Sequence, residues 1–244
     1  MKVLCYTRLP MEDAIYSEKL AYSMHLALQE EGGPVWPLNH NSGILYARAD
    51  KNPDGTLTAK CLDKPWLFSM EDGSFGVIAR RILPDGSADG AAKGALLFFR
   101  SGDLIYYQEQ PLLDLGRKSW IEDVSCVYDE KKGTWLLAWK EEDGSWLELE
   151  TDALETKRLQ ALIASGGLRT RGKETESQAT LVIPAGSGLP EGAVVRNVLE
   201  IDEKTAAGLK IRFLTPENTA NRVPDQIRVS SPEELKAAGA TAEY

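Results

Sequence analysis

Short apolar runs separated by polar turns dominate the first 150 residues of the chain. The runs are rich in aromatic and β-branched side chains, which favour strands. They predict strands at residues 3–7, 20–28, 43–49, 65–70, 75–81, 95–100, 104–109, 124–128, 134–140 and 145–150. Asp-Gly pairs at 54–55, 72–73, 85–86 and 143–144 follow or separate such runs, and this dipeptide is a strong hairpin signal. The pattern predicts an all-β chain of antiparallel strands, typical of a sandwich, a barrel or a propeller.

A loose internal repeat favours the propeller. Residues 65–78 contain an apolar run, an acidic glycine turn and a second apolar run, and residues 124–139 repeat that order. Each unit is followed by a further hairpin, which is the order of inner and outer strand pairs in one blade. The sequence predicts a partial β-propeller of about three blades, whereas closed propellers typically have at least four.

The composition changes after about residue 150. We expect a helix at 154–165, a polar linker at 166–177, strands at 194–201 and 209–214, and a helical turn at 202–207 between those strands. A capped helix start follows at 231–236, and a last strand begins at 240 without a partner. Since an unpartnered strand leaves its backbone groups unpaired, we expect a fragment with three parts: an incomplete propeller-like domain at 1–155, a helix and linker at 156–190, and an incomplete β-sandwich segment at 191–244.

Charge and composition exclude several classes of function. The 244 residues carry a net charge of −9, and an acidic surface repels the phosphates of nucleic acids. No apolar run approaches the roughly 20 residues needed to cross a bilayer. The first residues lack the apolar core of a signal peptide, so we expect a cytoplasmic protein, or a secreted one if its N-terminus was trimmed. Three widely separated cysteines indicate buried thiols rather than a disulfide framework.

Residues 100–107 (RSGDLIYY) resemble the S-x-D-L-x-x-W hairpin of family 43 and related glycoside hydrolases, with Tyr107 where tryptophan is usual. Residues 6–8, 22–27 and 41–46 are similar to the start of large bacterial proteins of this kind. The tail, residues 223–244, resembles the first half of a bacterial Ig-like domain. The resemblance implies a five-bladed propeller that hydrolyses arabinose- or xylose-containing glycans with inversion and needs no cofactor.

Such an enzyme uses an aspartate base, a glutamate acid and a second aspartate that tunes the acid. Inversion needs one protonated and one ionised carboxyl group, about 6.5 to 9.5 Å apart. The best match to a family carboxylate is Asp123, with Glu122 beside it, directly before a predicted inner strand. Asp63 precedes the blade that starts at residue 65 and is a weaker candidate. Each could equally be a solvated turn acid or a strand cap, and the family's usual Asp-Pro opening and its general-acid motif are not found here.

Other side chains are candidates for contacts with sugars. His25 lies in an alternating strand and could bind hydroxyl groups or be structural, and Asn41 lies in a polar turn at 39–42. Because sugar rings present apolar C–H faces, Trp66 and Trp120 could pack against them near the blade starts. Arg80 and Arg8 could reach the central funnel of the expected propeller, where inner strands of different blades converge. A surface or ion-pair role is the alternative for both. Two distant histidines without paired acids do not predict a transition-metal site.

Two hypotheses about function therefore stay open, beside that of a truncated product with no function of its own. The first is a glycoside hydrolase whose catalytic set is incomplete in this segment, and the second is a non-catalytic module that binds carbohydrate or supports a catalytic domain. The expected partner is an oligo- or polysaccharide, with neither nucleic acid nor membrane. We also expect the remaining blades to come from downstream sequence or another chain.

Overall fold

A computed structural model describes residues 1–8, 22–171 and 188–214. The described chain is mostly antiparallel β-structure, which confirms the all-β prediction. Within the described ranges, two short α-helices accompany the strands, α1 (Thr156–Ala164) and α2 (Glu203–Phe213). Within these ranges, neither helix is long and apolar enough to cross a membrane.

Most strands belong to three antiparallel sheets. Sheet 1 has the order β15 (Ala193–Glu200), β1 (Lys2–Arg8), β2 (His25–Gln29) and β3 (Val35–Pro37). Sheet 2 contains β6 (Cys61–Ser69), β7 (Phe75–Ile82) and β8 (Ala95–Ser101), with β9 (Gln108–Glu109) and β10 (Leu113–Asp114) both paired to β8. Sheet 3 has the order β11 (Ile121–Asp129), β12 (Thr134–Glu141), β13 (Trp146–Thr151) and β14 (Arg169–Thr170). A separate hairpin joins β4 (Asp50–Lys51) to β5 (Leu57–Thr58).

Sheet 2 is buried on both faces, which explains its continuous apolar strands. Successive residues of a strand point to opposite faces. In β8, Leu97 and Phe99 pack with residues of sheet 1, whereas Leu96 and Phe98 pack with residues of sheet 3. Burying each such side chain stabilises the fold by about 1.5–3 kcal/mol. The run ALLFF at 95–99 therefore serves two cores at once.

Strand β12 of sheet 3 alternates in its first half, whereas the small Ala138 is buried on the face opposite Leu137 and Trp139. Trp135, Leu137 and Trp139 of β12 are buried against sheet 2, while Leu136 between them is exposed. Trp135 and Trp139 are thus core residues, as their period-two spacing predicts.

Three strands, β6, β11 and β15, each lie at one edge of their sheet, and β6 contacts both β11 and β15. The Trp66 indole donates from Nε1 to the carbonyl oxygen of Cys126 at 2.8 Å, which joins β6 to β11. The Asn197 amide donates to the Leu67 carbonyl oxygen at 2.6 Å and accepts from the Leu67 amide at 3.2 Å, which joins β15 to β6. Below, β6, β11 and β15 are called the inner strands.

The structure corrects three strand predictions. Residues 209–214 belong mainly to α2, because the Asp202 carboxylate caps that helix by accepting from the amide of Thr205 at 2.6 Å, and Lys210 and Arg212 suit the negative end of the helix dipole. Residues 43–49 form only a bridge between Met24 and Leu45. Residues 104–109 are a turn up to β9.

The remaining predictions about the second half of the chain divide into two groups. Residues 193–200 form β15 and pair with β1 at the other end of the chain, and part of the expected linker forms β14. The helix start at 231, the strand at 240 and most of the Ig-like segment lie outside the described residues. The boundaries at 155 and 190 stay predictions.

Candidate functional site

Each inner strand carries a β-bulge. In β6, Lys64 and Pro65 lie between the paired positions Asp63 and Trp66, where β7 supplies a single residue. In β11, Glu122 is the extra residue between Ile121 and Asp123.

In β15 the extra residue is Arg196, between the partners of Cys5 and Tyr6. A bulge bends its strand and re-aims the side chain of the extra residue. All three inner strands therefore redirect a charged side chain at the place where they meet.

The bulge in β6 is conformationally strained. Lys64 has φ +48, a left-handed value that costs a non-glycine residue about 1–2 kcal/mol. The next residue, Pro65, lacks the amide needed for the ladder. The Lys-Pro pair thus interrupts the pairing directly after Asp63 and turns Lys64 out of the regular strand.

The bulged residues and their neighbours form a central charged cluster, whose members are Asp63, Lys64, Arg80, Glu122, Asp123 and Arg196. Arg80 Nη1 lies 3.1 Å from Asp63 Oδ2 and 3.6 Å from Glu122 Oε2. It also donates to the Glu122 carbonyl oxygen at 3.2 Å. One guanidinium therefore holds two carboxylates from different sheets.

Asp123 is the second centre of the cluster. Both terminal nitrogens of Arg196 donate to its carboxylate, with Nη1 to Oδ2 at 3.4 Å. Lys64 Nζ lies 3.8 Å from Oδ2, and the amide of Val124 donates to Oδ1 at 2.7 Å. Asp123 thus ties β15 and β6 to β11, and its charge is compensated from two sides.

The cluster remains accessible from solvent. The side chains of Asp63 and Asp123 are 21% and 19% exposed, and that of Glu122 is 43% exposed. Arg80 and Arg196 are 14% and 16% exposed. Partial burial strengthens the interactions of these charges with a ligand, while the exposed oxygens leave room for one to bind.

A groove of about 890 Å³ runs from Arg196 along the inner strands. Its walls come from all three, including Trp66 and Phe68 of β6, Tyr128 of β11, and Asn197 of β15. The hydrogen bond from Trp66 to Cys126 fixes the orientation of its indole. The groove combines aromatic rings with an amide and a guanidinium, and the charged cluster adjoins it at Arg196.

The other predicted contact residues are not members of the cluster. His25 is buried, its Nε2 lies 3.2 Å from Ser23 Oγ, and its ring centroid lies 5.1 Å from that of Tyr6. This environment is that of a core histidine. Trp120 has the Lys93 ammonium 5.1 Å from its ring centroid and borders a small cavity that Arg80 also lines.

Arg8 and Asn41 are joined to each other. Arg8 Nη1 donates to the Asn41 carbonyl oxygen at 3.4 Å. Asn41 ends a run of three left-handed residues that begins at Asn39, with φ values of +53, +53 and +63. Arg8 pairs with Ala193 at the start of β15, three positions before Arg196.

The structure thus brings together Asp63, Arg80, Glu122 and Asp123 of the predicted set, and places Trp66 on the adjoining groove. Sequence reasoning missed Lys64, Arg196 and Asn197. The Lys-Pro pair inside an apolar run was a usable signal of a bulge, because proline interrupts a central strand. Arg196 and Asn197 carried no such signal. Among the described residues, no group of three histidine, cysteine or acidic side chains is placed to hold a metal ion.

Comparison with protein families, with curated protein sequences and with solved structures gives no match to this chain.

Proposed function

We propose that this chain binds an arabinose- or xylose-containing glycan in the groove, as part of a protein of the family 43 glycoside hydrolase type. The observation that carries the proposal is the convergence of three bulged strands on one charged cluster beside an aromatic groove. β-Bulges and strained backbone residues are concentrated at functional sites of proteins.

The chemistry of the groove fits a sugar. A pyranose or furanose ring has an apolar C–H face and a rim of hydroxyl groups, so it needs a flat apolar surface together with hydrogen-bonding groups. Trp66 supplies a fixed indole, and Asn197 and Arg196 supply polar groups on the opposite strand. A volume of about 890 Å³ is in the range of small-molecule sites, which is about 300–1,000 Å³. Since the cluster balances three cations with three carboxylates, it offers a neutral glycan hydrogen bonds without favouring a polyanion.

Inverting hydrolysis is the second candidate. It rests on Asp123, a partly exposed carboxylate in the charged cluster, at the start of the strand where the family resemblance puts a catalytic acid. The reaction also needs a protonated carboxyl group on the other side of the scissile bond. Asp63 and Glu122 are the other two carboxylates of the cluster, and both lie beside Arg80.

The first prediction tests glycan binding. Asp123→Asn removes the charge that holds Arg196 and Lys64 beside the groove, and we expect oligosaccharide affinity to fall about tenfold, as for loss of a charged hydrogen-bonding partner. Titration calorimetry with arabino- and xylo-oligosaccharides measures the effect. Asp152→Asn is the matched control, because it breaks an exposed ion pair between Asp152, which follows β13, and Arg158 of α1. Equal affinities of both variants and the unaltered protein would contradict the proposal.

The same variants separate binding from catalysis. Release of aryl groups from α-L-arabinofuranosides and β-D-xylosides that disappears in Asp123→Asn would establish hydrolysis within these residues. Binding without turnover would identify a non-catalytic module. Absence of both from folded protein would overturn the proposed function.

A further inference from the structure

Tyr106 is an aromatic side chain that lies outside the groove of the inner strands, and the packing of its own turn does not need it. It lies in the turn between β8 and β9, and 72% of its surface is exposed, the largest exposed fraction among the large hydrophobic side chains of the described residues. Its neighbour Tyr107 instead packs against the core and donates from its hydroxyl to the Leu104 carbonyl oxygen at 3.0 Å. The turn is therefore anchored by Tyr107, and the core does not use Tyr106.

The backbone beneath Tyr106 is rigid. Asp103 Oδ1 accepts from the amides of Ile105 and Tyr106, both at 2.9 Å. Ser101 Oγ accepts from the amide of Leu104 at 2.8 Å, and Leu104 itself has φ +61. An aromatic ring on a fixed backbone loses little conformational entropy when it binds a ligand.

Polar groups flank the ring in a shallow groove of about 340 Å³. Arg100 and Gln108 line it, and Arg100 Nη2 donates to Asp72 Oδ2 at 2.8 Å. A guanidinium has five N–H donors, and this bond uses one of them. Because Asp72 compensates the charge of Arg100, the groove offers donors and acceptors without net charge, which suits hydroxyl groups better than phosphates.

We infer that Tyr106, Arg100, Asp72 and Gln108 form a second, surface site for a neutral polysaccharide, separate from the groove of the inner strands. Tyr106 packs against the apolar face of one sugar unit, and the flanking groups bind its hydroxyls. A shallow, open site holds a unit inside a long chain rather than a chain end. The inference rests on the proposed glycan specificity and extends it from short ligands to polymers.

The test compares a polymer with short ligands. Retardation in native gels that contain soluble arabinoxylan measures polymer binding at the surface site. Calorimetry with arabino- and xylo-oligosaccharides measures the affinity of the groove. We expect Tyr106→Ala to weaken polymer binding about fivefold, the range for loss of one aromatic contact, with oligosaccharide affinity unchanged. Tyr106→Trp should retain polymer binding. Leu57→Ala is the control, since Leu57 is also exposed (68%) but lies on the β4–β5 hairpin.

The outcomes distinguish this inference from the proposed function. If the unaltered protein binds both ligands and Tyr106→Ala retains polymer binding in full, the surface site is refuted and the groove stands. If the unaltered protein binds oligosaccharides but is not retarded by the polymer, the surface site is again refuted. If it binds neither, the proposed function fails, and this inference fails with it.

Discussion

Single glycines decide where two segments can approach each other. Gly94, in the turn before β8, has φ +68, and a Cβ atom there would lie 2.0 Å from the Arg117 carbonyl oxygen. Gly73, in the hairpin between β6 and β7, has a similar φ of +77 but would meet nothing within 4 Å. The same substitution therefore meets different obstacles at the two sites.

The matched pair Gly94→Ala and Gly73→Ala separates backbone strain from steric clash. Gly73→Ala should lower the free energy of unfolding by about 1–2 kcal/mol, the cost of a left-handed non-glycine residue. Gly94→Ala should lower the free energy of unfolding by about 2 kcal/mol more, because the backbone at Arg117 must move to admit the methyl group. Urea unfolding followed by tryptophan fluorescence measures both. Equal losses of stability in the two variants would mean that the backbone at Arg117 moves without cost, which would contradict the expected clash.

At the scale of elements, a buried ion network connects the β4–β5 hairpin to sheet 2. Asp89, 5% exposed, lies 2.9 Å from Lys60 Nζ and 2.7 Å from Arg81 Nε. Asp50, at the base of the hairpin, lies 3.2 Å from Arg81 Nη1 and 3.5 Å from Lys60 Nζ. Two buried cations are thus shared by one buried and one half-exposed carboxylate.

Asp89→Asn should lower the free energy of unfolding at pH 7 by about 3 kcal/mol, because removing one partner leaves buried charge uncompensated. Burial opposes ionisation of Asp89, but the hydrogen bond from Lys60 and the charge of Arg81 prevail and hold its pKa below the usual 3.8. The variant and the unaltered protein should therefore converge in stability as the pH falls below about 4. Glu150→Gln, which breaks the exposed pair with Lys132, should change stability little. A constant difference down to pH 2.5 would contradict this account.

At the scale of the whole molecule, hydrogen bonds lower the pKa of several carboxylates. Asp54, Asp72, Asp85 and Asp143 each begin an Asp-Gly-Ser or Asp-Gly-Thr turn, and the hydroxyl and amide two residues later donate to the carboxylate. These hydrogen bonds lower the pKa of all four below 3.8. The hydrogen bond from Arg117 likewise lowers the pKa of the buried Glu141 below 4.5.

Stability should fall on both sides of a pH range from about 4 to 9. A carboxylate with a lowered folded pKa stabilises the fold above its ordinary pKa, and this contribution is lost as the pH falls through the folded value. Burial raises the pKa of the Cys5 thiol from 9.0 to about 12, so its contribution is lost as the pH rises above 9, where the unfolded chain ionises first. Urea midpoints at pH 3, 7 and 10 test both limbs. Stability still rising between pH 9 and 10 would contradict the thiol assignment.

The hydrophobic pattern was sufficient to predict most strands of sheets 2 and 3, because period-two alternation and Asp-Gly turns are local signals. It misassigned residues 209–214, because Leu209 and Phe213 suit a strand as well as a helix. The cap at Asp202 favours the helix. For the site, Asp63, Glu122 and Asp123 were identifiable as acids before apolar runs. Their grouping was not, because it depends on bulges in three distant strands and on Arg196, whose register with β1 is set by tertiary pairing.

The pairing of β1 with β15 has a consequence for the order of folding. Lys2 lies opposite Glu200, so this ladder closes almost the whole described chain, and closing long loops delays the contacts that depend on it. Hairpins such as β6–β7 and β11–β12 can form as soon as they leave the ribosome. Sheet 1 gains its inner strand only after residue 200 has been made, and the groove is completed with it. During synthesis β6 therefore lacks its contacts with β15, including the two hydrogen bonds between Asn197 and Leu67, until residue 200 has been made. Edge strands exposed in this way are prone to aggregate, and a chaperone that covers them would protect the chain in this interval.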